Sequence, residues 1–198
     1  MKKFELTTEF ITNAFGKKLF RIKALVEFGD VKAGELGGYV EKEGNVSQAG
    51  NAWVYGNARV YGDARVSGNA WVYGNAWVSG NARVYGDARV YGDARVYGNA
   101  EVSGNAEVSG DARVCGNAWV YGNADYALVQ GFGTEFRCTT FYRGKNKKIM
   151  VNCGCFHGDL EGFRKQVKET RNGKIAKEYL MIADLMEYHF TSEDSSDE

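Results

Sequence analysis

The chain has 198 residues, including 26 glycines and no proline, with 25 basic and 25 acidic side chains. Average amino-acid composition would give about 10 prolines and 14 glycines in a chain of this length, so we expect a regular backbone that bends at glycine. The formal net charge is zero, which argues against non-specific binding to nucleic acids or anionic membranes. No stretch has the length and apolarity of a membrane span or of a signal-peptide core. Four cysteines are too few for a disulfide scaffold. Both observations predict a cytoplasmic protein.

The segment before the central repeat predicts a small β cap over residues 1–35. Residues 4–10 and 19–26 alternate apolar and polar side chains, so we expect two strands joined through residues 13–18. Residues 36–50 then form an irregular first coil, in which Gln48 is expected to occupy the inward position.

A six-residue repeat runs from residue 51 to residue 123 with the pattern Gly-Asn/Asp-Ala-X-Val-Tyr/Ser, and twelve successive hexads contain no insertion. Six is an even multiple of the strand period, so Ala, Val and Gly are expected to face one side and X and Tyr/Ser the other. Helix is excluded, because 3.6 residues per turn would scatter the valines around its axis. Short strands joined by identical turns coil into a solenoid, which we assign to residues 36–128.

The repeat resembles the hexapeptide repeat of left-handed parallel β-helices. That resemblance implies a left-handed triangular coil of three hexads, and it implies that prisms associate as parallel trimers. Residues 20–39, the string Thr-Thr-Phe-Tyr-Arg-Gly at 139–144 and Val-Asn-Cys-Gly-Cys-Phe at 151–156 are also similar to phage and prophage proteins described as hexapeptide-repeat, polymer-forming or transferase-like. The resemblance implies a phage-type accessory protein in the bacterial host cytoplasm, and it carries no established activity.

The outward positions of the repeat are rich in aromatic side chains. The 24 positions beside the valines hold four Trp, seven Tyr, six Arg, two Glu, four Ser and one Cys. Exposed aromatic surface usually marks an interface, so we expect a homo-oligomer, with a trimer as the favoured state. The alternative is that Tyr is present only for its high β propensity and its stacking along the ladder.

Stacking every third hexad defines three outward faces. The first face carries Trp53, Trp71, Arg89 and Glu107; the second carries Arg59, Trp77, Arg95 and Arg113; the third carries Arg65, Arg83, Glu101 and Trp119. On the first face the positive charge is expected to be balanced by Glu107. On the other two faces arginines stack on arginines about 4.8 Å apart, which is unfavourable unless an anion or partner neutralises them or solvent separates them. The candidate ligand-binding residues are Arg59, Trp77, Arg95, Arg113, Arg65 and Arg83, and a merely solvated surface is the alternative.

Residues 129–190 predict an α+β C-terminal cap. Residues 135–142 and 148–155 form a predicted hairpin, Asp159 caps a helix that extends to about residue 171, and Asn172-Gly173 separates it from a second helix at 174–189. Residues 191–198 carry four acidic side chains and are expected to form a disordered tail.

Catalysis and metal binding find little support in the sequence. Hexapeptide-repeat acyltransferases use a catalytic His as general base, but the repeat contains no His and no insertion that could form a substrate loop. The sequence contains one group of potential metal ligands, which consists of Cys138, Cys153, Cys155 and His157. Residues two apart on a strand lie nearly 7 Å from each other, too far to share a zinc ion without a bulge. The alternative is that these cysteines are small core residues with buried thiols.

The sequence therefore predicts a non-catalytic β-helix scaffold without cofactor or metal, and without a membrane or nucleic-acid partner. Its expected role is to bind a partner or an anionic small molecule, such as a host-defence nucleotide signal that a phage protein would sequester. The alternatives are a structural spacer or virion component and a divergent hexapeptide-repeat acyltransferase.

Overall fold

The computed structural model describes residues 2–134, 136–145 and 147–191. It divides into two compact units, one containing residues 2–117 and 121–123 and the other containing residues 118–120 and the described residues from 124 onward. The predicted disordered tail falls almost entirely at 192–198, outside the described residues. In the part of the chain that is described, helices are too short or too polar to cross a bilayer.

The first unit begins with the two expected strands. Strand β1 (Phe4–Thr12) pairs antiparallel with β2 (Lys18–Ala24), which pairs antiparallel with β3 (Leu36–Val40). In the turn after β1 the side-chain oxygen of Asn13 accepts hydrogen bonds from two main-chain N–H groups, the local bonding that makes Asn a turn residue. The predicted β structure of this segment is confirmed, and it lies in the same compact unit as the repeat.

The first coil differs from the expected one. A 3-10 turn at Glu43–Asn45 follows β3, and Val46, not Gln48, is buried and bridges in parallel to Val66. The side chain of Gln48 instead accepts hydrogen bonds from the main chain of Lys3 and Phe4 and donates one to Phe4. The prediction for Gln48 was wrong because the coil is two residues longer here than the strict repeat.

Each hexad of the repeat forms a two-residue strand made of X and Val. In chain order these are Trp53–Val54 (β4), Arg59–Val60 (β5), Arg65–Val66 (β6), Trp71–Val72 (β7), Trp77–Val78 (β8), Arg83–Val84 (β9), Arg89–Val90 (β10), Arg95–Val96 (β11), Glu101–Val102 (β12), Glu107–Val108 (β13), Arg113–Val114 (β14) and Trp119–Val120 (β15). Every third strand pairs in parallel, so that three ladders run along the unit. The ladders are β3-β5-β8-β11-β14, β4-β7-β10-β13 and β6-β9-β12.

This arrangement confirms a mainly β parallel solenoid; the left-handed sense remains a prediction. The interior is built from the Ala and Val positions, which are fully buried in every hexad. Each buried Val contributes about 1.5–3 kcal/mol relative to an exposed one, so regular repetition of small apolar residues is sufficient to form a continuous core.

The repeat glycines do not face inward as expected. They lie at the outer corners of the coil, and Gly68 has φ +69°, in the left-handed region. A Cβ on Gly68 would lie 3.0 Å from the main-chain nitrogen of Gly86 in the next coil. The position therefore needs glycine for its backbone angle and for the close approach of the coils, not for filling the interior.

Side chains of the corner Asn and Asp residues form ladders that run across the strands, from one coil to the next. The amide of Asn69 donates to the carboxylate of Asp87 at 3.0 Å, and Asn81 donates to the side-chain oxygen of Asn99 at 3.0 Å. Each such bond contributes about 0.5–1.5 kcal/mol. The corners are thus held by side-chain bonds as well as by the main chain.

The second unit contains an antiparallel sheet of β16 (Tyr126–Phe132), β17 (Arg137–Arg143), β18 (Ile149–Cys153) and β19 (Phe156–Asp159), in that order. A 3-10 turn at Asn123–Asp125 precedes it. The predicted hairpin corresponds to β17 and β18; the flanking strands were not predicted, and β16 crosses the expected boundary between residues 128 and 129.

Two helices pack on this sheet. Helix α1 (Leu160–Thr170) begins at the predicted cap, where the Asp159 carboxylate accepts a hydrogen bond from the Gly162 N–H at 2.9 Å. Helix α2 (Gly173–Thr191) follows, and its buried face packs with Phe163 and Val167 of α1. The two predicted helices are confirmed.

Candidate anion-binding groove

The second face is a ladder of four charged or aromatic side chains in the predicted order. Arg59 pairs with Trp77, Trp77 with Arg95, and Arg95 with Arg113, each in parallel register on neighbouring strands. Because every third hexad pairs and the hexads contain no insertion, the residue at each X position of this ladder lies next to the residue 18 positions further on. The stacking order that the sequence predicted for this face is confirmed.

The indole ring of Trp77 lies between two guanidinium groups. The Cζ of Arg59 is 5.1 Å from the ring centroid and the Cζ of Arg95 is 4.8 Å from it. Each cation–π contact contributes about 0.5–1 kcal/mol at an exposed site. A guanidinium held by its face against a ring keeps its in-plane N–H groups directed outward, where they can bind an oxyanion bidentately.

A groove of about 320 Å³ opens beside this ladder. Trp77, Arg95 and Arg113 line it together with Phe15, Tyr61, Ser79, Gly80 and Tyr97. Both lining arginines are exposed, and among the described lining residues none carries a carboxylate. The groove therefore combines positive charge with aromatic and hydroxyl groups.

Four side chains of this groove were missed in the sequence. Tyr61, Ser79 and Tyr97 follow the inward valines of the same hexads, so the 18-residue spacing could have placed them beside the arginines. Phe15 comes from the turn between β1 and β2, and its side chain is 79% exposed. Only the path of the N-terminal hairpin brings it to the groove.

The first face is different in charge. Arg89 donates to Glu107 at 3.4 Å, as the sequence predicted, and Tyr91 donates to the same carboxylate. A groove of about 450 Å³ along this face is lined by Asp30 and Asp87 as well as by Arg89. Its positive charge is therefore balanced within the protein.

Aromatic side chains of the first face pack largely on one another. Trp53 is only 1% exposed because Phe4 and Phe28 pack edge-on against its ring, which corrects the expectation that it lies on the outer surface. Tyr73 stacks on Tyr91 with centroids 4.9 Å apart and an interplanar angle of 5°. Burial, with the neighbouring tyrosines, raises the pKa of Tyr73. Part of the aromatic content thus stabilises the unit itself.

The third face keeps the other two candidate arginines apart from the groove. Arg65 pairs with Arg83, and Arg83 with Glu101, on a separate ladder. A groove of about 520 Å³ that contains Arg65 also contains Glu43. The six candidate residues therefore divide into one group of four on the second face and one pair on the third.

Comparison with known proteins supports the repeat. Windows of this chain match the family model described as the YdcK beta solenoid repeat, at residues 52–68, 64–80, 76–92, 82–98 and 88–104. This solenoid repeat covers hexads of all three faces. No curated protein matches the chain.

The cysteines predicted as a possible metal group lie in the second unit, beyond the matched solenoid windows. Cys153 accepts a hydrogen bond from the Thr139 hydroxyl at 3.1 Å, and the His157 Nε2 lies 3.1 Å from the Tyr142 hydroxyl. Within residues 2–134, 136–145 and 147–191, no group of three or more His, Cys, Asp or Glu side chains is arranged to hold a metal ion. Among the described residues, Cys138, Cys153 and Cys155 form no disulfide.

Proposed function

We propose that this chain is a non-catalytic β-solenoid scaffold that binds an anionic small molecule in the second-face groove. The observation that carries the proposal is the position of Arg95, which contacts Trp77 on one side and has Arg113 as its neighbour on the other. Both arginines line the same groove. A phosphate or carboxylate bound there would lie beside two guanidinium groups, which bind oxyanions through charge-assisted hydrogen bonds.

The rest of the groove favours a ligand that also has a planar ring. Phe15, Tyr61 and Tyr97 present aromatic surface beside the arginines, and aromatic side chains bind flat rings by stacking. A nucleotide combines both features. The finer proposal, sequestration of a nucleotide signal used in host defence, rests on this composition and on the resemblance to phage proteins.

Two other functions remain alternatives. A structural spacer or virion component would use the same solenoid without a ligand, and the charge-balanced first face is compatible with that role. A divergent acyltransferase would need a general base, but the repeat has no His, and His157 is hydrogen-bonded to Tyr142 in the second unit. We therefore expect no acyl-CoA turnover.

Association into a cytoplasmic homotrimer is part of the same proposal. The support is the remaining exposed aromatic surface of the repeat, including Trp119 and Tyr121. Three copies of the 21.9 kDa chain would have a mass of about 66 kDa. Light scattering measures this directly, and a particle of one copy would contradict the trimer without affecting the ligand proposal.

Thermal unfolding with AMP, ADP, ATP and inorganic phosphate tests ligand binding. A ligand at 100 times its dissociation constant stabilises the folded state by about 2.7 kcal/mol, so the midpoint should rise measurably. Arg95→Gln and Arg113→Gln should each weaken binding about 10- to 100-fold, the loss expected for hydrogen bonds to a charged group.

Arg83→Gln is the matched control, since it removes an arginine at the same X position on the third face. It should retain the wild-type response. No response to any of the four anions, or equal losses in all three variants, would contradict a specific site on the second face.

A further inference from the structure

Helix α2 exposes a line of large apolar side chains on the side opposite the core of the second unit. Met181 is 60% exposed, Leu185 58% and Tyr188 72%. Their spacing of four and three residues places them on one face of the helix, while Ile182 and Met186 point into the core. An isolated apolar residue on a surface is ordinary, but a contiguous line of three indicates an interaction surface.

Most charges along α2 run against the helix dipole. Lys174 and Lys177 lie near its N-terminal end together with Glu178, and Asp184 and Glu187 lie in its C-terminal half, where His189 is the basic residue of the last turn. A helix is stabilised by the opposite order, with acids near the N-terminus and bases near the C-terminus. Such an order becomes favourable when a second helix lies antiparallel, because the basic end of each then meets the acidic end of the other.

Contacts within the second unit neutralise only part of this pattern. Arg164 of α1 donates to both Asp184 and Glu187 at 2.7 Å, and Lys174 lies 3.5 Å from Glu178. Among the described residues, no ion pair is formed by Lys177, which lies on the same side of α2 as Met181. Its charge and the apolar line therefore face solvent together.

We propose that α2 is a dimerisation helix, which packs antiparallel on α2 of a second copy of this chain. A two-fold axis near Met181 brings Lys177 beside the partner's Asp184 and Tyr188 beside the partner's Lys174. Leu185 then packs on the partner's Met181 and on the aliphatic stem of the partner's Lys177. The contact is isologous, so each favourable pair occurs twice.

The area that the two α2 helices bury determines the expected affinity of the dimer. One helix pair buries less than the roughly 1,200–2,000 Å² of a standard stable interface, so we expect a dimer that dissociates on dilution. Its formation is independent of the proposed ligand groove, which lies on the solenoid ladder in the first unit.

Mass measured over a range of protein concentrations tests the proposal. Pairing through α2 doubles the mass of the particle that the repeat forms, giving about 44 kDa from single 21.9 kDa chains and about 131 kDa from the trimers proposed above. Leu185→Glu places a charge in the apolar line and should halve the mass of the associated species. Lys165→Glu, which changes the charge at an exposed position on α1, is the control and should leave the mass unchanged.

A charge-swap pair separates loss of the interface from loss of folding. Lys177→Glu and Asp184→Lys should each fail to self-associate, because each creates two like-charge contacts across the two-fold axis. Mixed in equal amounts they should associate, since the carboxylate introduced in the first variant then faces the ammonium group introduced in the second. A wild-type mass that Leu185→Glu does not change, or a mixture that stays dissociated while wild type associates, would overturn the proposal.

Discussion

Arg95 lies over the indole ring of Trp77, with its guanidinium carbon 4.8 Å from the ring centroid. The two residues are 18 positions apart and meet because β8 and β11 are neighbours in one parallel ladder. The ring packs against one side of the guanidinium, and Arg95 also lines the groove. The 18-residue spacing of the repeat thus positions an arginine of the proposed anion-binding groove against Trp77.

Coupling between these two residues is the first prediction. Arg95→Gln, Trp77→Leu and the double variant form a thermodynamic cycle, and urea unfolding should give an interaction energy of about 0.5–1 kcal/mol, the usual contribution of an exposed cation–π pair. Trp71 and Arg113 lie on different faces and should show no coupling. An interaction energy near zero for Trp77 and Arg95 would contradict the stacking.

The second prediction concerns pH. Lys3 is buried, and burial lowers its pKa to about 8, although its ammonium donates to the main-chain oxygens of Gly50 and Ala52. In the unfolded chain a lysine titrates near pH 10.4. Between these values the folded chain has released the proton and the unfolded chain still binds it, so the contribution of Lys3 to stability increases as pH rises from about 8 to about 10.

Urea unfolding at several pH values in this range measures the effect. Other lysines, tyrosines and cysteines also titrate there, so the comparison is with Lys3→Met, which keeps an apolar stem of similar length. The difference in unfolding free energy between wild type and Lys3→Met should move in favour of wild type as pH rises. A difference that is constant with pH would refute the lowered pKa.

The third prediction separates backbone angle from crowding at the glycine corners. Gly68 and Gly34 both have positive φ, but a Cβ would meet the next coil only at Gly68, since nothing lies within 4 Å of one placed on Gly34. Gly34→Ala should cost about 1–2 kcal/mol from the left-handed backbone alone. Gly68→Ala adds overpacking and should cost roughly 2–4 kcal/mol. Equal losses in thermal unfolding would show that the coils do not approach as closely as 3.0 Å.

The regular part of the fold and most of the candidate site could be predicted from the sequence. A strand period of two within an uninterrupted repeat of six indicates which residues share a side. The resemblance to hexapeptide-repeat β-helices adds that three hexads make one coil, and together they predict the ladder of Arg59, Trp77, Arg95 and Arg113. The C-terminal helices were predictable because Asp159 and Asn172-Gly173 mark their ends locally.

The errors fall where segments outside the repeat contact it. The prediction that Gln48 faces inward was wrong because the first coil is two residues longer, which places Val46 inside. Trp53 has the same pattern position as Trp77, yet it is buried because Phe4 and Phe28 cover it. The prediction that the repeat glycines face inward was wrong for another reason. A pattern that only separates two sides of a strand cannot distinguish an inward position from a corner with positive φ.

The sequence by itself determined a solenoid of short strands and, through its resemblance to hexapeptide-repeat β-helices, the 18-residue neighbour relations and the order of charges on each face. With the number of hexads per coil given, these relations depend only on spacing along the chain. Only the tertiary structure decided that Phe15 lines the groove, that Trp53 is buried, and that Met181, Leu185 and Tyr188 remain uncovered on α2. These outcomes depend on contacts between residues far apart in sequence and outside any period. Such contacts exist only once the chain has folded.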